Sequence, residues 1–341
     1  MPRVEEFIRG LPKTDLHMHL EGSLEPELLL KLAGRNRIQL KWSSADALRS
    51  AYEFDNLQTF LDLYYAGCEV LVTEQDFYEL THAYVRRAQA DGVIRAEVFI
   101  GPQSFTTRGT PIATVIDGTL AAIHDAERDG TISVGLIITA QRHRTEADAF
   151  ALLEQLRPWQ GHILGIGMGG AEVGNPPSKF VNFFRACRDA GFRLTIHAGE
   201  EGPASYVREA LELLDVDRID HGVACLQDPE LVAELARRQV ALTVCPISNL
   251  RLKVVPSIAA HPLKTMLAHR LHVTVNSDDP AYFGGYASEN LLACQRELDL
   301  SIDDVISLVR NGFTAAFLPD AERSAMLSKL EDYVARFDWT H

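Results

Sequence analysis

Four short stretches of this sequence carry residue types that could do chemistry together. The first is Thr14-Asp-Leu-His-Met-His-Leu-Glu-Gly, where His17 and His19 stand two residues apart. On a β-strand that spacing turns both imidazoles to one face and Leu16 and Met18 to the other. Two imidazoles side by side can hold a metal ion, or they can be two hydrogen-bonded polar groups at a strand end. The pair alone does not choose between these readings. The second stretch, Thr195-Ile-His-Ala-Gly-Glu-Glu-Gly, adds a third imidazole, His197, with Glu200 three residues later. A carboxylate beside a metal site but free of the metal can shuttle protons. Glu201 reads as an acid at the start of the following helix, and the same plain reading is open for Glu200.

The third stretch, Arg218-Ile-Asp-His-Gly, puts His221 at another strand end, and the fourth, Val275-Asn-Ser-Asp-Asp-Pro, offers adjacent carboxylates, Asp278 and Asp279. Successive acids on a strand cannot face the same way, so one can bind metal while the other meets substrate or water. Taken alone, Asp-Asp-Pro is a turn with a helix cap. Four such stretches meeting at one rim by accident is a harder supposition than a shared site. The other histidines, at 82, 124, 143, 162, 261, 269, 272 and 341, are given no role, with His82 and His124 read as surface or interfacial groups on helices.

Positioning these groups requires many strand ends. Apolar runs suited to strands fall at 14–19, 95–101, 133–139, 163–167, 193–197, 218–221, 241–245 and 272–277. Helical periodicity marks 111–129, 146–157, 179–190, 205–214 and 229–238 between them. Strands alternating with helices fit a closed barrel or a doubly wound open sheet. No Gly-x-Gly-x-x-Gly follows the first strand, and polar residues gather at several strand ends, as barrel active sites require. The expected fold is therefore an α/β (β/α)8 barrel forming a single domain over 1–341. Residues 41–93 exceed one barrel helix, so helices over 56–72 and 74–91 are expected to cover the barrel mouth. The tail, 301–337, is expected to close the barrel with further helices.

Bulk properties narrow the partners. The chain has 341 residues, 46% of them hydrophobic and 23% charged, as in a soluble globular protein with a large core. A net charge of −14 argues against nucleic acid or an anionic membrane as partner, and leaves a small neutral molecule open. Glu5 and Glu6 stand where a signal peptide needs an apolar run, and no stretch has the length of a membrane span. The five cysteines are dispersed and odd in number, against a disulfide framework or a cysteine metal site. A cytoplasmic protein is expected, of open oligomeric state.

The stretches "LPKTDLHMHLEGS", "LTIHAGEEG", "RIDHG", "LTVCPISN" and "VTVNSDDPAYFGG" resemble the adenosine/adenine deaminase family of the amidohydrolase superfamily, in family order and across nearly the whole chain. The resemblance implies one zinc ion held by His17, His19, His197 and Asp278. It implies Glu200 as proton shuttle, His221 as the group that positions and polarises the attacking water, and Asp279 as a purine contact. The chemistry is consistent: expelling ammonia from C6 of a purine needs activated water and an acid to protonate N1. Stabilising the developing oxyanion is worth roughly 3–4 kcal/mol per donor.

The substrate implied is a 6-aminopurine, with adenine converted to hypoxanthine placed first. "NLQTFLDLYYAG", "EVGNPPSKF" and Glu21 in "HLEG" resemble the microbial adenine deaminases. "GMGGAE" departs from them, with Gly169 and Gly170 where that group carries aspartate and serine. Gly170 instead matches the glycine whose amide meets purine N3 in adenosine deaminases. Gly101 and Phe105 also depart, replacing an aspartate and a histidine. Glu21, Gly101, Phe105, Gly169 and Gly170 are thus expected to border the base, and refilling 169 and 170 with aspartate and serine to favour adenine over larger purines. Adenosine, 6-aminodeoxyfutalosine and N6-substituted adenines remain alternative substrates. Two other classes compete. A binuclear hydrolase would need a lysine on the fourth strand, and 163–167 has none. A non-catalytic purine-binding protein would be expected to have lost a ligand or the shuttle, and every position is filled.

Overall fold

The computed structural model describes residues 2–130 and 132–339, so His341 and both ends of the expected 1–341 span lie outside the described residues. Eight strands appear in chain order: β1 (Lys13–His19), β2 (Val93–Ile100), β3 (Ser133–Gln141), β4 (Gly165–Gly169), β5 (Arg193–Ala198), β6 (Arg218–His221), β7 (Ala241–Val244) and β8 (Val273–Val275). Each pairs in parallel with the next, β1 to β8 in order. An open doubly wound sheet would reverse direction at a switch point; here the strand order never reverses. The seam between β8 and β1 closes backbone to backbone at its upper end, and through side chains below it, where the Leu16 N–H donates to Asn276 Oδ1 at 2.9 Å and the Ser277 N–H to Asp15 Oδ1 at 3.2 Å. Met18 bridges Asp278, the His19 N–H donates to the Asp278 carbonyl at 2.9 Å, and the Asp278 N–H donates to the His17 carbonyl at 2.8 Å. The fold is a (β/α)8 barrel.

The strands are buried along nearly their whole length, as expected of strands covered by helices outside and packed side chains within. The helices 112–128, 146–155, 181–189, 204–212 and 229–238 follow the periodicity closely. One strand lies two residues later than its apolar run suggested. β4 begins at Gly165, because Arg157–His162 forms a 3-10 turn and pairing of Ile137 with Gly165 sets the register. The Gly-Ile-Gly-Met-Gly sequence has little strand preference of its own, so its neighbour decides.

The 41–93 region also divides differently from expectation. Leu57–Cys68 does lie over the mouth, but Glu74–Ala90 packs in the outer ring against Ile112–Arg128. It is an ordinary barrel helix: Gly118 lets the two approach so closely that a Cβ there would meet the Glu74 carbonyl at 2.3 Å. The elaboration in this region is the mouth-covering helix together with the short helix Ala45–Ser50.

Low in the barrel, the inward positions are charged rather than aliphatic. Arg95, Glu97 and Phe99 face inward at alternate positions of β2. Glu97 accepts from Arg95 at 2.9 Å, from Arg218 at 2.6 Å and from the Phe317 N–H at 2.7 Å. The Arg218 guanidinium lies 4.3 Å from the Phe317 ring centroid. The tail therefore closes the barrel bottom as expected, through Phe317 between Ile302–Ala315 and Asp320–Arg336. Glu97 and Arg218 are fully buried, so each depends on the other for its charge. Glu97→Gln should lower the unfolding free energy by about 3–5 kcal/mol, the usual cost of breaking a buried ion pair. Urea titration at unchanged m-value measures it, and a loss below about 1 kcal/mol would place that pair in the solvated class.

Candidate active site

The rim above the C-terminal strand ends gathers all four stretches. His17 and His19 stand at the end of β1 and His197 near the end of β5. His221 ends β6, Glu200 lies on the loop after β5, and Asp278 and Asp279 follow β8. The His197 Nε2 lies 3.2 Å from His17 Nε2 and 3.1 Å from His19 Nε2. Asp278 Oδ1 lies 3.5 Å from the Nε2 of both His17 and His19. Donor atoms about 2.0–2.1 Å from one tetrahedral centre lie about 3.3–3.4 Å apart, so this spacing fits a single metal ion such as zinc.

The hydrogen-bond partners point the same way. His17 Nδ1 is 3.2 Å from the Thr243 carbonyl, which can only accept, so Nδ1 carries the hydrogen. His197 Nδ1 lies 3.2 Å from Asp220 Oδ2, a carboxylate that favours the hydrogen on that nitrogen. Both Nε2 atoms therefore present lone pairs to each other across the gap, an arrangement that a shared cation makes favourable. β4, Gly165–Gly169, contains no lysine to bridge a second metal.

Two residues take an uncommon backbone conformation to reach this point. His221 has φ +64° and Asp278 has φ +64°. Left-handed conformations cost non-glycine residues roughly 1–3 kcal/mol, and such strain collects at functional sites. At Asp278 it breaks the two-residue alternation of the strand, so that Asp278 turns to the histidines while Asp279 turns to the adjoining cavity. Both acids thus reach the site, in different roles. Gly22 makes room for the second: a Cβ there would fall 1.9 Å from Asp279 Oδ1.

Sequence reasoning missed Asp220. It is fully buried, and its Oδ1 accepts from Thr195 Oγ1 at 2.6 Å and Thr243 Oγ1 at 3.1 Å. Thr243 Oγ1 in turn lies 3.0 Å from His17 Nδ1, so Asp220 orients one imidazole directly and a second through a hydroxyl. Burial opposes its charge, but His197, His17 and Arg218 hold the carboxyl well below its ordinary range. A signal was available: alternation on 218–221 places Arg218 and Asp220 inward together.

Beside the cluster lies a cavity of about 60 Å³. Its polar side is His19, His197, Glu200, His221, Asp278 and Asp279, and its roof is Leu57, Phe60, Leu61, Tyr64 and Tyr65 of the mouth-covering helix. Glu200 Oε2 lies 3.5 Å from His221 Nε2. Burial, followed by the Asp278 charge, pushes the Glu200 carboxyl well above its ordinary range. Burial and Asp278 do the same to Asp279. Asp278 goes the other way despite burial, drawn down by His17, His221 and His19. Of two adjacent buried carboxyls, one takes the charge and the other keeps the proton.

The expected substrate contacts separate. Gly101, Gly169 and Gly170 line the cavity. Glu21 is buried one layer behind: its Oε1 accepts from the Gly101 N–H at 2.8 Å, and burial raises its carboxyl to about 7. Phe105 turns into the core, its ring 4.8 Å from that of Phe77. Refilling 169 and 170 with aspartate and serine meets different conditions at the two positions. A Cβ at Gly169 would make ordinary contact, 3.4 Å from the His197 ring, whereas Gly170 has φ +92°, which strains any side chain. Glu201 also differs from its reading as the first acid of the following helix. Its Oε1 accepts from the Leu57 N–H at 3.0 Å, capping the helix over the mouth.

A parallel barrel with four imidazoles, two aspartates and a buried glutamate at its C-terminal rim defines a metal-dependent amidohydrolase. The adenosine deaminase family model matches residues 12–333, and the chain belongs to that family. It is 64% identical to an adenine deaminase of Rhodopseudomonas palustris over 336 residues, 98% of each chain. The crystal structure of an adenine deaminase from Arthrobacter aurescens is 46% identical, with a TM-score of 0.94 over 95% of this chain and 99% of that one. An amidohydrolase from Burkhoderia ambifaria with bound Zn is 26% identical, with a TM-score of 0.86 over 99% and 95% of the two chains.

Asp220→Asn should leave the barrel folded but weaken metal retention about 10–100-fold, the usual effect of losing a carboxylate behind a ligating histidine. Competition with a chelator, read by metal analysis, measures it. Unchanged retention would show that Asp220 serves only the Arg218 network.

Proposed function

We propose that this chain deaminates adenine hydrolytically, giving hypoxanthine and ammonia, with one zinc ion held by His17, His19, His197 and Asp278. The whole chain would act as one catalytic unit. The observation that carries the reading is Glu200, buried and facing the His221–Asp278 side of the cavity. The near full-length similarity to proteins named adenine deaminase supports the choice of base. The solved relative with bound Zn supports the choice of metal. When bound, zinc would supply Lewis-acid activation of water at neutral pH.

The chain's own residues would do the remaining work. The purine lies between the glycine turn of β4 and Asp279, with C6 toward the histidines. The Gly170 N–H donates to N3, its positive φ turning the amide to the base. Asp279, keeping its proton beside ionised Asp278, donates to a ring nitrogen on the other edge. His221 holds the attacking water on one face of C6 and stabilises the oxygen as charge develops there. Glu200 takes a proton from that water and delivers it to N1 as the C6–O bond forms. The proton left on the C6 hydroxyl then passes by way of Glu200 to the exocyclic amine, the C6–N bond breaks, the C6 oxygen becomes the carbonyl, and ammonia leaves.

Glu21 would act on specificity from behind the wall, holding Gly101 in place and meeting Tyr64. Together with the aromatic roof it leaves a bare base favoured over one carrying a sugar. The five cysteines are free and buried, which supports a reducing, cytoplasmic setting. No helix among the described residues is long and apolar enough to cross a membrane. The acidic surface supports a small-molecule substrate rather than nucleic acid.

Ammonia release from the zinc-loaded protein, followed over adenine, adenosine, 6-aminodeoxyfutalosine and N6-substituted adenines, should show adenine far ahead. A larger purine ahead of adenine would replace this reading with one of its alternatives. Glu200→Gln should keep fold and metal while kcat falls roughly 10²-fold or more. A smaller loss would remove Glu200 from proton transfer.

A further inference from the structure

The loop that carries Glu200 runs Ala198-Gly-Glu-Glu-Gly-Pro203, and its two glycines make it loose by composition. Something else must hold it. Glu172, three residues beyond β4, is 1% exposed and uses both carboxylate oxygens on this loop. Oε1 accepts from the Gly199 N–H at 2.6 Å, and Oε2 accepts from the N–H groups of Glu200 at 3.1 Å, Glu201 at 2.8 Å and Gly202 at 2.7 Å. Four successive amides turned to one point form an anion nest, and here its occupant is a side chain of the same protein. The approach is as close as the backbone allows: a Cβ on Gly202 would fall 2.6 Å from Glu172 Oε1.

A buried cation stands on the other side of Glu172. Arg142, fully buried at the end of β3, places its NH1 3.9 Å from Glu172 Oε1. Arg142 also donates to the carbonyls of His197 and Asn175. The same loop reaches the mouth-covering helix, through Glu201 and the Leu57 N–H. Glu172 shares its turn with Gly170, which lines the cavity.

We propose that Glu172 is a positioning residue for the reaction: it clamps the 199–202 backbone so that the Glu200 carboxyl stays aimed at His221 and Asp278, and it locks that loop to the glycine turn against which the base lies. The role rests on the reading of Glu200 as the proton-transferring group. It follows from geometry, because proton transfer needs the carboxyl within about 0.5 Å of its working place. Glu200 is poorly held by its own side chain, which has three rotatable bonds and, among the described residues, only the 3.5 Å approach to His221 Nε2. The order of the backbone beneath it sets the reach. An amide at 172 would offer two N–H donors to a nest built of N–H donors, so Gln at this position pushes the loop away rather than merely releasing it.

The test compares wild type, Glu172→Gln and Glu172→Asp as zinc-loaded proteins. Four quantities are read: kcat, KM for adenine, zinc content, and amide hydrogen exchange of the 198–204 segment. Glu172→Gln should lose about 10²-fold in kcat, the scale of a misplacement near 1 Å. KM should stay within about three-fold, with zinc content unchanged and exchange of the loop amides faster. Glu172→Asp, with a shorter carboxylate, should fall between wild type and Gln in both kcat and exchange. If Glu172→Gln does not fold, the Asp variant carries the same reading.

Unchanged exchange, or faster exchange with unchanged kcat, overturns the proposal. So does loss of zinc with KM rising in step, which would make Glu172 a structural staple only. Exchange needs no substrate, so failure here is distinct from an inactive wild type, which would instead sink the adenine reading.

Discussion

Imidazole nitrogens that aim lone pairs at one another from about 3 Å repel unless a cation joins them, and the rest of this molecule is arranged around holding that contact. His17 and His197 are fixed in this tautomer from behind, by the Thr243 carbonyl and by Asp220. Asp220 stays ionised in the barrel interior through His197 and His17 first and then Arg218, which stands 4.0 Å below it and is balanced in turn by Glu97. The charges thus alternate down the axis, from the rim to the Phe317 plug at the bottom. A barrel interior normally fills with aliphatic side chains. Here the cation site at the top dictates polar groups beneath it, and each buried charge dictates the next.

The same constraint explains where the barrel closes. β8 and β1 meet backbone to backbone through Met18 and Asp278, at the level of the site, with Asn276, Ser277 and Asp15 joining them by side chains just below. Bringing Asp278 to the His17–His19 face therefore joins the seam and completes the ligand set in one step. The left-handed backbone at Asp278 and His221 costs stability locally, and the surrounding hydrogen bonds hold it in place. Both residues are of types that tolerate this conformation better than most.

Above the rim, the helix Leu57–Cys68 makes the cavity dry enough for these electrostatics to matter. It is seated by aromatic contacts onto the β8 loop, with Phe60 4.7 Å from Phe283 and 6.0 Å between Tyr64 and Tyr282. At its other end Glu201 ties it to the β5 loop. The roof of the cavity is thereby fastened to the two loops that carry Glu200, Asp278 and Asp279. Cover and chemistry are one mechanical unit.

The alternation of apolar and helical stretches was enough to read a barrel from the sequence, because period and strand length are local properties. The histidine pair at two-residue spacing, the strand-end imidazoles and the Asp-Asp turn were legible for the same reason. Other features depended on distance along the chain. That Glu74–Ala90 is an outer-ring helix follows from its contact with Ile112–Arg128, which no local pattern encodes. The start of β4 was set by pairing with β3, since its glycines have no preference. Asp220 behind His197, Glu172 beneath Glu200 and Glu201 at Leu57 are pairs 23, 28 and 144 residues apart. Residue type and spacing determined which groups do chemistry. Only the folded chain decided which buried carboxylate stands behind each of them, because a charge taken out of water must be met by whatever partner the fold brings within reach.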